Sequence, residues 1–364
     1  MINPSSYSSS WIASFKQQKQ FHAVNNALFE KMIYAFSLLE SLAATGFEFI
    51  FKGGTSLLLM PVNSDRFSID IDIITNKSKA ELELVLNSII NDSVFSSYQE
   101  DKDRHNKGGI PKAHYVFSFA PTANKNGTIL LDVLFEDNPY KTISKTEIRN
   151  SFLDTSEPWL TVNIPSIDSI LGDKLTAFAP NTIGVPYWLG NPEIPDKRIE
   201  IIKQLHDNSI LIDHFSDVQE TKNVFWAIAE NQLMYRSLNA TVEDVIADIF
   251  STALLIAKRD RNNVDPDISK FADIQTGIKM FGEYLITGSF KIEDAICASA
   301  KVAYYTQSFI HDDQNPFSLY NTAINLENLN IGNVEYNFLN RFKKTNKPAF
   351  YYWYCCLELM NLID

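Results

Sequence analysis

The chain has 364 residues, 45% of them hydrophobic and 21% charged, a balance that excludes general disorder and leaves room for two domains. Against 32 Lys and Arg stand 44 Asp and Glu, a formal charge of −12, which excludes a generally basic nucleic-acid coat. Any bound polyanion must meet a local basic patch or a metal ion. The three cysteines, Cys297, Cys355 and Cys356, offer neither a disulfide framework nor zinc-ligand spacing and fit a reducing compartment. The polar, Ser-rich start has no apolar signal core, and no apolar run approaches a membrane span. The expectation is a soluble, cytoplasmic protein with no membrane partner.

In chain order, a flexible N-terminus is expected over 1–19. From about Gln17 to Ala44, Phe21, Val24, Leu28, Met32, Phe36 and Leu39 recur at three- and four-residue steps, which predicts a helix ended at Gly46. Phe47 to Phe51 reads as a strand running into Lys52-Gly53-Gly54-Thr55, and Leu57 to Met60 as a short helix stopped by Pro61. Ser68 to Thr75 (SIDIDIIT) alternates Asp with Ile, the period of a strand with one acidic and one apolar face. Residues 78–97 read as helix, Asp101 to Lys112 as a polar, basic loop, and His114 to Phe119 and Thr128 to Phe135 as strands. A strand from Trp159 to Ile164 leads to Ser166, a candidate N-cap for a helix over Ile167 to about Ala179. Pro180 to Pro195 reads as a long loop and Asp196 to Phe215 as helix, and from Thr221 onward nearly everything is helical in period. The fold class is α+β, a mixed sheet with flanking helices over 20–165, then a mostly helical domain over 166–364.

Three features carry chemistry. Gly53 and Gly54, at a strand-to-helix turn, let the backbone approach a phosphate closely, although most such turns are only turns. Asp70 and Asp72 share one strand face about 7 Å apart. Two such acids cost energy unless a cation shares them, and Mg²⁺, a hard ion that prefers oxygen, is the natural occupant. Asp132 stands alone in the apolar run Ile129 to Phe135. Beside the Asp70–Asp72 strand it would complete a three-carboxylate site for two ions about 3.5–4 Å apart. The bland readings are a solvated strand face for the pair and a strand-edge acid for Asp132.

At this point a family resemblance enters. A strand ending in Gly-Gly-Thr, an alternating Asp strand and a later third acid resemble the nucleotidyltransferase fold of the DNA polymerase beta-like superfamily. Lys52 to Leu57 (KGGTSL) followed by Asp65 to Ile73 (DRFSIDIDI) resembles the AbiEii/AbiGii toxin family of abortive infection and type IV toxin–antitoxin systems. Ile164 to Phe178 (IPSIDSILGDKLTAF) is similar to that family's third motif, with Asp173 and Lys174 in place. Lys197 to Asp207 (KRIEIIKQLHD) is similar to the fourth, which Arg198, Lys203 and Asp207 match, while Gln204 stands where the family has Asp. These two motifs fall in 166–215; residues 216–364 match nothing recognisable.

The resemblance implies metal-dependent transfer of a nucleoside monophosphate from an NTP to an acceptor, with RNA, in particular tRNA, as acceptor and a cognate antitoxin as partner. Asp70, Asp72 and Asp132 would hold two Mg²⁺, with Mn²⁺ as an alternative. Gly53, Gly54, Thr55 and Ser56 would cradle the triphosphate, and Lys174 would reach phosphate oxygens with Asp173 beside it. Lys52, Arg66, Ser68, Lys203 and Asp207 join the nucleotide-binding set. Each has a plainer reading: Lys174 snorkels beside an apolar stripe, Lys203 and Asp207 are an i,i+4 surface ion pair, and Arg66 pairs the turn at Asp65. The six histidines are scattered and none is assigned chemistry. Basic clusters at Lys102/Arg104/Lys107/Lys112, Lys258/Arg259/Arg261 and Arg341/Lys343/Lys344/Lys347 are candidate acceptor contacts, the first foremost. Competing readings are transfer to a small molecule or a protein side chain, and an NTP-binding module without transfer.

Overall fold

The structure is a computed structural model that describes residues 1–18, 21, 24–102, 109–121, 126–261, 264–311 and 316–364. Arg104, Lys107, His22 and His105 lie outside the described residues. The chain clusters into two compact units, Met1–Ile170 with Glu283–Ser289, and Leu171–Gly282 with Phe290–Asp364.

Unit 1 begins with α1 (Ser9–Lys16) and α2 (Asn26–Ala44). The expected helix from Gln17 starts only at Asn26, because Asn25 accepts the N–H groups of Ala27 and Leu28 and fixes the N-cap there. Then come β1 (Ile50–Lys52), α3 (Gly53–Ser56), β2 (Ile71–Thr75), α4 (Lys79–Asn91), β3 (Phe95–Glu100), β4 (Lys112–Phe119), β5 (Gly127–Phe135), β6 (Ile143–Glu147) and β7 (Thr161–Pro165). These strands form one mixed sheet in the order β3-β4-β5-β2-β1-β7-β6. The β2–β5 and β1–β7 pairs are parallel and the other pairs antiparallel.

Two strands differ from expectation. The helix predicted to 97 ends at Asn91 and gives way to β3, and β6 carries no apolar run. They are the two edges of the sheet, where fewer side chains are buried and the sequence stays polar. In the interior the alternation is clear. Ile71, Ile73, Leu131 and Val133 are buried, α2 packs against β2 and β5, and Asp72 and Asp132 occupy the opposite, half-buried face.

Unit 2 is helical. Helix α5 (Ile167–Ala177) begins in unit 1 and continues into it, followed by α6 (Arg198–Ile212), α7 (Val218–Tyr235), α8 (Val242–Lys258), α9 (Asp267–Phe281), α10 (Ile292–His311), α11 (Phe342–Thr345) and α12 (Lys347–Leu359). The α10 helix packs against α6, α8 and α12, and Phe350, Tyr351, Tyr352 and Trp353 on α12 are buried, so this aromatic run builds core. The Pro-rich loop after α5 is anchored by two buried carboxylates. Asp248 accepts the Asn181 N–H and the Thr182 hydroxyl at 2.8 Å each, and Asp273 accepts the N–H groups of Trp188 and Leu189 at 2.8 Å each. No helix of the described residues is long and apolar enough to cross a membrane.

Candidate active site

Strand register lays four polar residues in a row across unit 1. Lys52 pairs with Asp72 across β1 and β2, Asp72 with Asp132 across β2 and β5, and Asp132 with His114 across β5 and β4. Register partners share a sheet face, with neighbouring strands about 4.8 Å apart. Asp72 and Asp132 are thus adjacent carboxylates with a base in register on either side. His114 Nδ1 lies 2.7 Å from Asp132 Oδ1, and the two side chains are 15% and 31% exposed. Lys52 Nζ sits 5.9 Å from the centre of the Tyr140 ring. Asp70 immediately precedes β2 and is half-buried like Asp72.

The two glycines are dictated by what lies over them. Gly53 has φ +78°, and a Cβ there would sit 2.0 Å from Asp72 Oδ2. A Cβ on Gly54 would meet an Arg66 terminal nitrogen at 2.6 Å and Ser68 Oγ at 2.8 Å. The carboxylate, the guanidinium and the serine hydroxyl therefore crowd one stretch of bare backbone. Arg66 is buried and donates to the Phe67 carbonyl at 3.0 Å. Arg66 forms an isolated antiparallel bridge with Leu285, and the Phe67 N–H donates to the Tyr284 carbonyl, so residues 283–289 brace this edge. Thr55 and Ser56 are buried and hold the turn: Thr55 Oγ1 donates to the Asp70 carbonyl at 2.6 Å and Ser56 Oγ to the Gly53 carbonyl at 2.8 Å.

In unit 2, Lys174 on α5 donates to Asp207 Oδ2 on α6 at 2.7 Å, with side chains 7% and 0% exposed. The Asn208 amide donates to the Lys174 carbonyl at 3.1 Å and locks the two helices in register. Lys203 Nζ donates to Glu200 Oε1 at 2.8 Å and is also buried. This corrects the reading of Lys203 and Asp207 as a surface pair, since neither is at the surface and Asp207 takes its cation from the neighbouring helix. The correction extends to Lys174, which is a held cation rather than one that snorkels to water.

The sequence profile described as "Nucleotidyl transferase AbiEii toxin, Type IV TA system" matches residues 37–273. The chain belongs to the AbiEii nucleotidyltransferase toxin family. It is a nucleotidyltransferase by that membership, with an NTP as substrate and a cognate antitoxin as partner. No curated protein matches the chain. Among solved structures it is similar to a protein from H. pylori assigned as a nucleotidyltransferase, with 18% identity over 77% of this chain and 92% of that one and a TM-score of 0.42. It is also similar to MenT4, a nucleotidyltransferase toxin from Mycobacterium tuberculosis H37Rv, with 12% identity, coverage of 73% and 87%, and a TM-score of 0.43. A nucleotidyltransferase-like protein from Paracoccidioides brasiliensis matches at 12% identity, coverage of 56% and 88%, and a TM-score of 0.33.

The donor chemistry of this AbiEii-family site suits a hard divalent cation, since Asp70, Asp72 and Asp132 offer only oxygen. Among the described residues, no three His, Cys, Asp or Glu side chains already close around one point. Magnesium does not require that, because it is commonly bound through one or two carboxylates and completed by substrate phosphates and water. Sequence reasoning missed His114 beside Asp132. The signal was available in the strand alternation that puts His114 on the less buried face of β4, but only the hairpin register pairs it with the acid.

Proposed function

We propose that unit 1 catalyses Mg²⁺-dependent transfer of a nucleoside monophosphate from an NTP to an RNA acceptor, tRNA foremost. The acceptor hydroxyl attacks the α-phosphorus and pyrophosphate leaves. The observation that carries the reading is the in-register pair Asp72–Asp132 on parallel strands, with Gly53 stripped of a Cβ where the Asp72 carboxylate lies. Asp70, Asp72 and Asp132 would hold the cation, with Mn²⁺ as an alternative to Mg²⁺. The cation supplies charge neutralisation on the triphosphate and acidifies the attacking hydroxyl. Gly53 and Gly54 give phosphate access to main-chain amides, Arg66 and Ser68 border that stretch, and Lys52 adds positive charge at its edge. Thr55 and Ser56 contribute by holding the turn. Lys174 enters as a catalytic candidate and Lys203 and Asp207 as nucleotide-binding candidates, on family likeness alone.

The test is label transfer from each α-³²P-labelled NTP to total tRNA with Mg²⁺, beside a D70A/D72A protein. RNA labelled by the intact protein and not by the variant is the expected result. Pyrophosphate released while RNA stays unlabelled would replace the acceptor with a small molecule or a protein side chain. NTP binding without pyrophosphate would reduce the protein to a binding module.

A further inference from the structure

We propose that His114 is a positioning residue of this site, holding the Asp132 carboxylate in the orientation in which it serves beside Asp72. The inference rests on the carboxylates acting together on a cation as argued above. His114 and Asp132 are directly opposed in the β4–β5 ladder, and the ring nitrogen that faces the acid is Nδ1, at 2.7 Å from Oδ1. An ionised carboxylate only accepts, so Nδ1 carries the hydrogen and donates it, whatever the state of Nε2. With one oxygen anchored, the carboxylate loses free rotation about its last torsion.

Position makes that anchoring useful. Asp132 lies between His114 and Asp72, one strand spacing from each. Two neighbouring carboxylates repel, so the orientation in which both face one cation has to be held from outside the pair. The His114 bond pins the carboxylate from the side away from Asp72. The plainer role, a cross-strand pair that merely steadies the sheet, makes a different prediction for the cation.

Mn²⁺ binding, measured by titration in the presence of a non-hydrolysable NTP analogue at fixed pH, separates the two, with urea unfolding run on each protein. H114A is expected to weaken Mn²⁺ binding about 10- to 100-fold, the usual effect of losing a group that orients a metal-ligating side chain. NTP-analogue affinity without metal should stay put. H114N returns an N–H close to the position of Nδ1 and should recover most of the loss. In a D132N background, H114A should add nothing, because the effect runs through Asp132. Mn²⁺ affinity unchanged in a folded H114A protein overturns the inference, as does a loss that H114N fails to rescue or that adds fully to D132N. Wild-type protein that binds no Mn²⁺ with the analogue overturns the function reading itself, and this inference with it.

Discussion

The sharpest demand at the scale of single residues falls on Gly53. Gly46 and Gly53 of unit 1 have nearly the same positive φ, +74° and +78°, but of this pair only Gly53 has Asp72 in the path of a Cβ. G46A therefore carries only the left-handed strain, about 1–2 kcal/mol, while G53A adds a collision that must move the carboxylate. Urea unfolding should show G53A as the less stable of the two. Pyrophosphate release should be lost in G53A and kept in G46A; equal behaviour would mean that Asp72 yields without consequence. In unit 2 the buried Lys174–Asp207 pair makes the opposite kind of prediction. K174M or D207L alone strands a buried charge and should cost about 3–5 kcal/mol, whereas the double variant K174M/D207L should cost clearly less than the sum. Additive losses across the four proteins would show that the two charges stand independently.

Among the elements, the loop between α5 and α6 owes its shape to carboxylates from α8 and α9. Asp273 accepts two successive amides, and one of them belongs to Leu189, a non-glycine residue at φ +51°. D273A removes the oxygen that accepts both amides and should cost about 2–4 kcal/mol, with chymotrypsin cutting first at Trp188–Leu189 in the native protein. Cleavage elsewhere at an unchanged rate would show that the prolines hold the loop unaided. Such anchors also mark where sequence reading stops. SIDIDIIT and the Ile129 to Phe135 run announce interior strands because one face must be apolar, and they announce an acidic face with it. The edge strands β3 and β6 bury too little to leave a pattern. Helical spacing relates Lys203 to Asp207 on one helix, but Lys174 reaches Asp207 from another, 33 residues away. His114 and Asp132 meet because the hairpin closes at Phe119 and Gly127, and shifting that closure by one residue would break the pair.

For the whole molecule, the order of the chain through its units sets how it must come apart. The backbone passes between them at 170/171, 282/283 and 289/290. Unit 1 cannot be completed without residues 283–289, whose Ile286 N–H donates to the Asp65 carbonyl at 2.6 Å beside the Arg66–Leu285 bridge. That segment is supplied from between two stretches of unit 2, so unravelling of unit 2 releases both of its ends and is expected to loosen unit 1 with it. All three cysteines lie in Phe290–Asp364, which makes thiol labelling a reporter of unit 2 alone. Burial pushes the Cys297 and Cys355 thiols up to about 11 and raises Cys356 as well. A raised thiol pKa favours the neutral form, so at pH 8 only about one in a thousand of the first two is the reactive thiolate. Native protein at pH 8 should therefore react slowly with a disulfide reagent, and its labelling rate should rise about tenfold per pH unit toward pH 10. The same sign makes the thiols' contribution to stability complete below their ordinary pKa of about 8.5 and lost as pH rises through 11. In urea at pH 8, rapid labelling of all three thiols should appear at the midpoint of the far-UV circular dichroism and tryptophan fluorescence transitions. Thiol exposure at clearly lower urea would mean that unit 2 opens while unit 1 keeps its borrowed segment, and the coupling drawn from chain order would fail.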